Sequence, residues 1–510
     1  MSKDNFYKNS FLLTLSNLAT GVLGFIFSIY LSKILGPEGM GLYGLVMPIY
    51  NLFISIMTAG IIAAISKITA VYSSDNNYHN IIKTMKVVGI FNFIWGLFIG
   101  ILVFFLSPAI SNLWIKDPRT VKAIMVTCPA MVFIALSNIL KGFFYGDSKI
   151  VVPSFIDILE KSLRVFILAI LILMFKVKTL EGLVTLAYVS LCLGELQSLI
   201  LLFAYFKITI KKYPKNIIKN ENSLQLLFNV LVISFPLCLN GFLLNIFSTI
   251  STVMVPRRLM STGLSYSQAL ALIGKFGGMA LSIITFPMII VNSINTLLIP
   301  NLSQSISKKD YKGATLRIKQ VLKISLLIGL FTAVLCQCVP DSLGIMFFGR
   351  DDLGKMIKLS ALIMPLSFIS STMYGILNGL DKQNIILRNN IFISILEIIC
   401  LFIFTGIPYI NIYGYVITMF ISAIISLSIN IYEVYKTINL EISFPDLIIY
   451  LLTSILSYVI VKNLVLNIIT LDYRIEVLLA VIILSIIFSI LIFSNKLKRL
   501  SKNKYKTIKK

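Results

Sequence analysis

The sequence predicts an all-α polytopic membrane protein of about fourteen transmembrane helices, arranged as two six-helix lobes plus two extra C-terminal helices. Three observations carry the fold class. Apolar residues make up 57% of the chain against 13% charged, where a soluble domain holds about 45–50% and about 25%. The apolar residues gather in runs of roughly 20, the length a helix needs to cross a ~30 Å hydrocarbon core. The strict alternation of membrane-barrel strands is missing from these runs, so the spans are helical.

The runs place spans at 10–32, 41–66, 87–110, 121–145, 151–175, 181–206, 225–254, 267–299, 319–347, 356–380, 385–406, 410–435, 445–467 and 475–495. The polar start through Lys8 precedes an apolar run longer than a signal-peptide core, which reads as an uncleaved first helix. Connections are too short for a soluble domain, so chemistry belongs in or near the bilayer. Lys and Arg concentrate in Lys207–Lys219, Lys308–Lys323 and Lys496–Lys510. Keeping these on the positive, inner side puts both termini in the cytoplasm. The formal net charge of +24 is spread over loops beside spans. Basic loops and tail therefore suit anionic lipids, and nucleic acid is not implied.

Six cysteines lie within spans without zinc-ligand spacing, and the single histidine, His79, sits in a loop. No P-loop and no GxGxxG occurs, so no metal, nucleotide or redox cofactor is implied. The chain does not read as an enzyme.

An internal repeat organises the spans. Phe155-Ile-Asp-Ile-Leu-Glu160 returns as Phe392-Ile-Ser-Ile-Leu-Glu397, and Gly142-x-x-x-Gly146 upstream of the first copy returns as Gly375-x-x-x-Gly379. The copies are an even number of spans apart, so the two units share one orientation about an axis along the membrane normal. The resulting division is an N-lobe at 1–206, a basic cytoplasmic linker at 207–224 and a C-lobe at 225–436. Two further spans at 437–495 and a basic tail at 496–510 complete the chain.

Charges inside spans are costly, at ~2.5–3.5 kcal/mol each on insertion scales, and face the interior. Away from span edges they are Asp157, Glu160, Lys161, Arg164, Glu195, Lys275 and Glu397. Four fall on the fifth span, where Asp157/Lys161 and Glu160/Arg164 stand at i,i+4 spacing. Either these pairs neutralise each other and lock the helix, or Arg164 and Lys161 meet an anionic head group while a carboxylate answers protons or cations. Lys275, in Gly274-Lys-Phe-Gly-Gly278, has no acid at i±3 or i±4; it is a cavity cation or snorkels to a surface. Glu397 and Glu195 are coupling sites or structural remnants. Pro236, Pro287, Gly21 and Gly24 are candidate hinges, because they remove or soften helix hydrogen bonds.

The stretch Leu31-Ser-Lys-Ile-Leu-Gly-Pro-Glu-Gly-Met-Gly-Leu-Tyr-Gly-Leu45 resembles the signature between the first two helices of polysaccharide-type flippases. These belong to the multidrug/oligosaccharidyl-lipid/polysaccharide (MOP) exporter superfamily, and the Gly146–Lys149 turn and basic tail resemble its sporulation branch. The resemblance implies an alternating-access flippase for an undecaprenyl-pyrophosphate-linked saccharide, with the peptidoglycan precursor lipid II for the spore cortex as cargo. It favours Lys275 as a pyrophosphate contact, and it implies arginines on the first two spans that this chain lacks. Cell-wall synthesis partners are a further implication. Another lipid-linked polysaccharide or teichoic unit is an alternative cargo. A cation-coupled multidrug antiporter would want an acid in the first span, and none stands between Asn9 and Ser32. A membrane glycosyltransferase would want external acids, and the group Asp341, Asp351, Asp352 is interrupted by Arg350. A non-transporting sporulation scaffold acting through the tail is the remaining alternative.

Overall fold

The computed structural model describes residues 3–58, 60–214, 221–438, 444–467 and 472–508. Part of the basic linker (215–220), the segments 439–443 and 468–471 beside the last two spans, and the end of the basic tail lie outside the described residues. Among the described residues every regular element is a helix. They are α1 (Lys3–Thr58), α2 (Ile61–Ser74), α3 (Tyr78–Ala109), α4 (Val121–Gly146), α5 (Val151–Phe175) and α6 (Leu180–Ile210). There follow α7 (Ser223–Met260), α8 (Tyr266–Ile273), α9 (Leu281–Thr285), α10 (Met288–Ser307), α11 (Tyr311–Cys338) and α12 (Pro340–Phe348). The last are α13 (Gly354–Ala361), α14 (Met364–Gly379), α15 (Gln383–Phe404), α16 (Gly414–Thr437), α17 (Phe444–Asn467) and α18 (Tyr473–Ile508).

Eleven of the described helical stretches are long and apolar enough to cross a membrane, or twelve if the bent pair α13–α14 is one span. The first stretch, running to Ser74, joins α1 and α2. Helix α5 is not among them, because Asp157, Glu160, Lys161 and Arg164 fall inside its apolar sequence. Large apolar side chains such as Phe105, Leu173, Met174 and Ile490 stand exposed, as expected where the surrounding solvent is lipid.

Several expected spans are broken, each for a local reason. The spans expected at 10–32 and 41–66 meet inside α1 at a kink in the expected gap, at Gly36, which takes φ 64° and ψ −176° ahead of Pro37. Proline has no N–H to give and disfavours the helical conformation in the residue before it. The second of these spans then breaks ahead of α2 at Gly60, which has φ 80°. A side chain at Gly60 would stand 2.7 Å from the Ser234 carbonyl and 2.6 Å from Leu237 Cβ of α7, so only glycine admits this approach. The span expected at 267–299 is four pieces: α8, a π-helical turn over Gly274–Ala280, α9 and α10. The span at 356–380 is α13 and α14, bent by 52°, with Pro365 in the first turn of α14. Of the candidate hinges, Pro287 stands between α9 and α10, Pro236 lies inside the continuous α7, and Gly21 and Gly24 lie within α1.

The chain divides into two compact units, one of Met1–Gly278 with Leu387–Thr418, the other of Met279–Ile386 with Met419–Lys510. In the first, Ile65, Phe143, Phe144, Leu202 and Val230 form a core joining α2, α4, α6 and α7. In the second, Leu302, Ile318, Ile376, Leu377 and Val434 join α10, α11, α14 and α16.

The repeat recurs as packing inside each unit. A side chain at Gly142 or Gly146 would meet α2, at 3.0 Å from the Ile62 carbonyl and 2.5 Å from the Ser66 carbonyl respectively. The counterparts meet α10: Gly375 lies against Asn295 and Gly379 against Leu302 and the Ile299 carbonyl. The turns also match. Helix α4 ends with Lys149 N–H donating to Phe144 O at 2.8 Å, and α14 ends with Lys382 N–H donating to Leu377 O at 2.9 Å. The left-handed residues are Ser148 (φ 59°) and Asp381 (φ 58°). Helices α2 and α10 close in the same way, around Asn76 (φ 55°) and Lys309 (φ 57°). There Asn77 and Asp310 cap the following helices by accepting from Asn80 N–H and Gly313 N–H. All four are the backbone-bonded helix ends expected at a left-handed cap. Gly146→Leu and Gly379→Leu are each expected to destabilise the folded protein in detergent by ~1–3 kcal/mol through overpacking. Gly89→Ala, which meets nothing within 4 Å, is the neutral-to-stabilising control.

On either side of the undescribed part of the linker, the chain is held to the first unit. Tyr213 stacks near Tyr78, with ring centroids 4.5 Å apart, under the Lys149 ammonium. Burial, with Asp147 beside it, pushes the Tyr213 phenol up. Beyond the undescribed stretch, Glu221 accepts from Tyr72 Oη at 2.8 Å and its carbonyl accepts from Lys83 Nζ at 2.5 Å.

Candidate functional site

Helix α5 carries its charges toward α4 and α6 within the first unit. The exposed residues Phe155, Phe166 and Ile170 lie on another side, while Ile156, Glu160, Arg164 and Leu168 are buried. The i,i+4 spacing of Glu160 and Arg164 is realised as an ion pair within one helix. The other expected pair is replaced: Asp157 engages Lys141 of α4 at 2.7 Å, and Lys161 turns to Glu160 at 2.9 Å. A lysine from a facing helix approaches Asp157 without bending along its own helix axis, which the sequence of α5 alone cannot reveal.

Glu195 of α6 completes the set at 3.6 Å from the same Arg164 nitrogen that binds Glu160. Glycine makes this crossing fit, since a side chain at Gly194 would stand 2.8 Å from Glu160 Oε1. Three cations and three carboxylates thus meet on three helices, a neutral sum for a low-dielectric interior. Phe27 of α1 lies 5.9 Å from the Arg164 guanidinium. Tyr43 stacks on Tyr188 at 4.8 Å, and Tyr188 Oη donates to the Tyr43 carbonyl at 2.8 Å. Tyr50, seven residues further along α1, is within electrostatic reach of Glu195, Arg164 and Glu160. Lys141, Gly194 and these tyrosines escaped the sequence reading. Lys141 stands near a span end, and the Tyr43/Tyr50 spacing of two helical turns was the available signal for the tyrosines.

Lys275 sits apart from that cluster, in the π-helical turn that follows α8. Glycines hold the turn against the kinked part of α1. A side chain at Gly274 would stand 1.9 Å from the Pro37 carbonyl, and one at Gly41 would stand 2.2 Å from the Leu270 carbonyl. Ser28 Oγ also donates to Gly278 O at 3.2 Å. Next to Lys275, Phe276 is buried against the Tyr415 ring at 5.2 Å. The lysine itself is half-buried. π-Helical turns insert one extra residue into the ladder and re-aim side chains. Glu397, the repeat counterpart of Glu160, is half-buried on α15. At the copy's positions for Asp157 and Lys161 stand Ser394 and Ile398, so the second copy did not keep the network.

Other ion pairs stand at helix ends away from this cluster. Arg350 pairs with Asp352 at 2.6 Å, and that hydrogen bond holds the guanidinium further above its already high range. Arg119 ties Glu38 at 2.7 Å and Asp117 at 2.8 Å.

Glu160, Arg164 and Glu195 are buried within a multi-pass, all-helical membrane fold. It is shared with the solved lipid II flippase MurJ in an inward closed conformation, with a TM-score of 0.70, 16% identity, and coverage of 96% of this chain and 100% of that one. An inward-facing multidrug resistance MATE transporter of the MOP superfamily matches with a TM-score of 0.63 and 16% identity, covering 83% of this chain and 95% of that one. The model of the family described as polysaccharide biosynthesis protein matches residues 6–306, more than half of the chain, and the chain belongs to that family. Its relatives include stage V sporulation protein B of Bacillus subtilis (strain 168), 25% identical over 422 residues, which are 81% of this chain and 80% of that protein. The lipid II flippase MurJ of the same strain is 21% identical over 399 residues, 74% of this chain and 73% of that one.

Proposed function

We propose that this chain is a flippase that moves an undecaprenyl-pyrophosphate-linked saccharide from the inner to the outer leaflet by alternating access. The observation that carries the reading is a set of buried cations, Arg164 of α5 with Lys141 and Lys161 beside it, in a chain of the polysaccharide biosynthesis family with the fold of a lipid II flippase. A pyrophosphate-sugar head group cannot cross hydrocarbon unaided, and a polar interior route with cations lowers that barrier. The similarity to a stage V sporulation protein and to a lipid II flippase supports the peptidoglycan precursor of the spore cortex as cargo.

Within this reading the residues divide. Lys275, on a turn re-aimed by its π-geometry, is the pyrophosphate contact. Arg164 and Lys161 are committed to Glu160 and serve the head group only when that pairing loosens. Asp157 and Glu160 hold the helix, and Glu397 is what the second copy retains of the same position. Pro287, at a helix break, is the hinge of the second unit, and the Pro236 region beside Gly60 is that of the first. The six-plus-six lobes, cytoplasmic termini and anionic lipids at the basic loops and tail belong to the same proposal, as do cell-wall synthesis partners.

The test is a leaflet assay in proteoliposomes with fluorescent lipid II and, in parallel, a lipid-linked glycan of different sugar composition. Protein-dependent movement of either lipid to the opposite leaflet supports flipping and ranks the cargo. Movement of neither would leave the scaffold reading in its place.

A further inference from the structure

We infer that the seam of α10 and α14 in the second unit is a saccharide-binding face, where Asn292, Thr296, Ser371 and Asn378 take the neutral sugar of the lipid-linked cargo. Helix α10 is 20 residues long and carries no charge, yet it is not among the described helices apolar enough to cross a membrane. Its asparagines and hydroxyls lower it. The two helices run side by side in one direction. Ser371 Oγ donates to Asn292 Oδ1 at 3.2 Å and Asn295 Nδ2 to the Ser371 carbonyl at 3.4 Å, and further along Ser303 Oγ donates to the Gly379 carbonyl at 2.9 Å. On this seam Asn292 and Asn378 are exposed, and Thr296 and Ser371 are half-buried. Polar side chains at membrane depth face the interior or water rather than lipid.

Packing alone does not call for these groups. The polar contacts that hold the helices of this unit together lie elsewhere on α14. Ser370 Oγ and Ser426 Oγ stand 2.7 Å apart, Tyr374 Oη lies 3.2 Å from the same Ser426 oxygen, and Ser325 Oγ and Thr372 Oγ1 are 2.6 Å apart. The first unit also builds the same glycine-paired seam without amides. Gly142 faces the Ile62 carbonyl where Gly375 faces Asn295, and Gly146 faces the Ser66 carbonyl where Gly379 faces the Ile299 carbonyl. In that register the first unit has Ile62 and Ala63 where the second has Asn295 and Thr296. Asn295 is moreover only 8% exposed, with Oδ1 lacking a hydrogen-bond partner. An amide present only to join helices would be satisfied.

Of the three parts of a lipid-linked saccharide, only the sugar suits this face. An isoprenoid tail offers nothing to an amide. A pyrophosphate calls for cations, and neither α10 nor α14 contains a charged residue or a histidine. Sugar hydroxyls both donate and accept, as do Asn amides and the hydroxyls of Ser and Thr. Thr296 Oγ1 donates to the Asn292 carbonyl at 3.0 Å, and a hydroxyl that donates within the protein still accepts from a ligand. A site built to hydrogen-bond a hydroxyl also rejects a ligand that lacks one. As a cargo site this face rests on the flippase reading.

Equilibrium binding of two radiolabelled probes to the full chain in detergent tests the face: undecaprenyl pyrophosphate, and the same lipid carrying a neutral disaccharide. The native chain should bind the sugar-bearing lipid more tightly than the bare one. Asn292→Leu and Ser371→Ala should each weaken the sugar-bearing lipid by roughly three- to tenfold, the worth of one neutral hydrogen bond, and leave the bare lipid unchanged. Thr296→Ala, which installs the side chain the first unit has at Ala63, keeps the test available should Asn292→Leu fail to fold. Ser370→Ala, in the contact with Ser426, should leave the ratio of the two affinities as it is in the native chain. Equal native affinity for the two lipids, or a loss in these variants that is the same for both, would overturn the inference while the flippase reading stands. A native chain that binds neither lipid would overturn both.

Discussion

Replacing Lys275 with alanine is expected to slow head-group translocation in the leaflet assay by roughly ten- to a hundredfold. A hydrogen bond to a charged group is worth about 1.5–3 kcal/mol, and every 1.4 kcal/mol is about tenfold. The fold should survive, because the packing of this turn is supplied by its neighbours: Gly274 and Gly278 against α1, and Phe276 against Tyr415. Lys275→Arg, which keeps the charge on a longer stem, should recover part of the rate. An alanine variant that transports at the native rate would return Lys275 to the role of a snorkelling surface lysine, and the head-group contact would have to be sought elsewhere.

Arg164→Ala should instead act on stability. The substitution strands Glu160 and Glu195 in the interior, and breaking a buried pair from one side costs about 3–5 kcal/mol. The unfolding midpoint in mixed detergent should fall accordingly. The double variant Arg164→Met with Glu160→Gln, which removes the charges and keeps the volume, should recover most of the loss, since well-packed neutral replacements of ion pairs are often tolerated. If the single variant is as stable as the native chain, the network does not hold α5 in place. If the double variant is stable and transports normally, Arg164 is structural alone. If it is stable and inactive, Arg164 touches the cargo as well.

How much of this was legible in the sequence depends on whether the information is local. The four charges of α5 and the glycine pairs Gly142/Gly146 and Gly375/Gly379 are repeat-level patterns, and the close helix approaches of both glycine pairs appear in the fold. Pairing across helices was not legible. Asp157 sits four residues from Lys161, yet it is matched by Lys141 from α4, because facing helices offer a shorter route than a neighbour along the same one. The break at Gly36 falls in the expected gap between the first two spans, but the one at Gly60 was missed for a related reason. Hydropathy averages over a window, while a kink depends on one residue's freedom at positive φ. The π-turn around Lys275 likewise depends on carbonyls of α1 that approach within reach of Gly274.

The charges of α5 also bear on how the chain reaches the bilayer in the first place. Four ionic residues near the middle of one segment oppose its insertion by roughly 10–14 kcal/mol, and each apolar residue returns only about 0.3–0.6 kcal/mol. Emerging from the ribosome alone, this segment is a poor stop for the translocation machinery. Its lysine partner, however, is made just before it on α4, and its second glutamate follows on α6. Helices α4 to α6 therefore have reason to enter lipid as one packet. Synthesis stalled between Phe175 and Glu195 would leave a nascent chain whose topology is not yet decided.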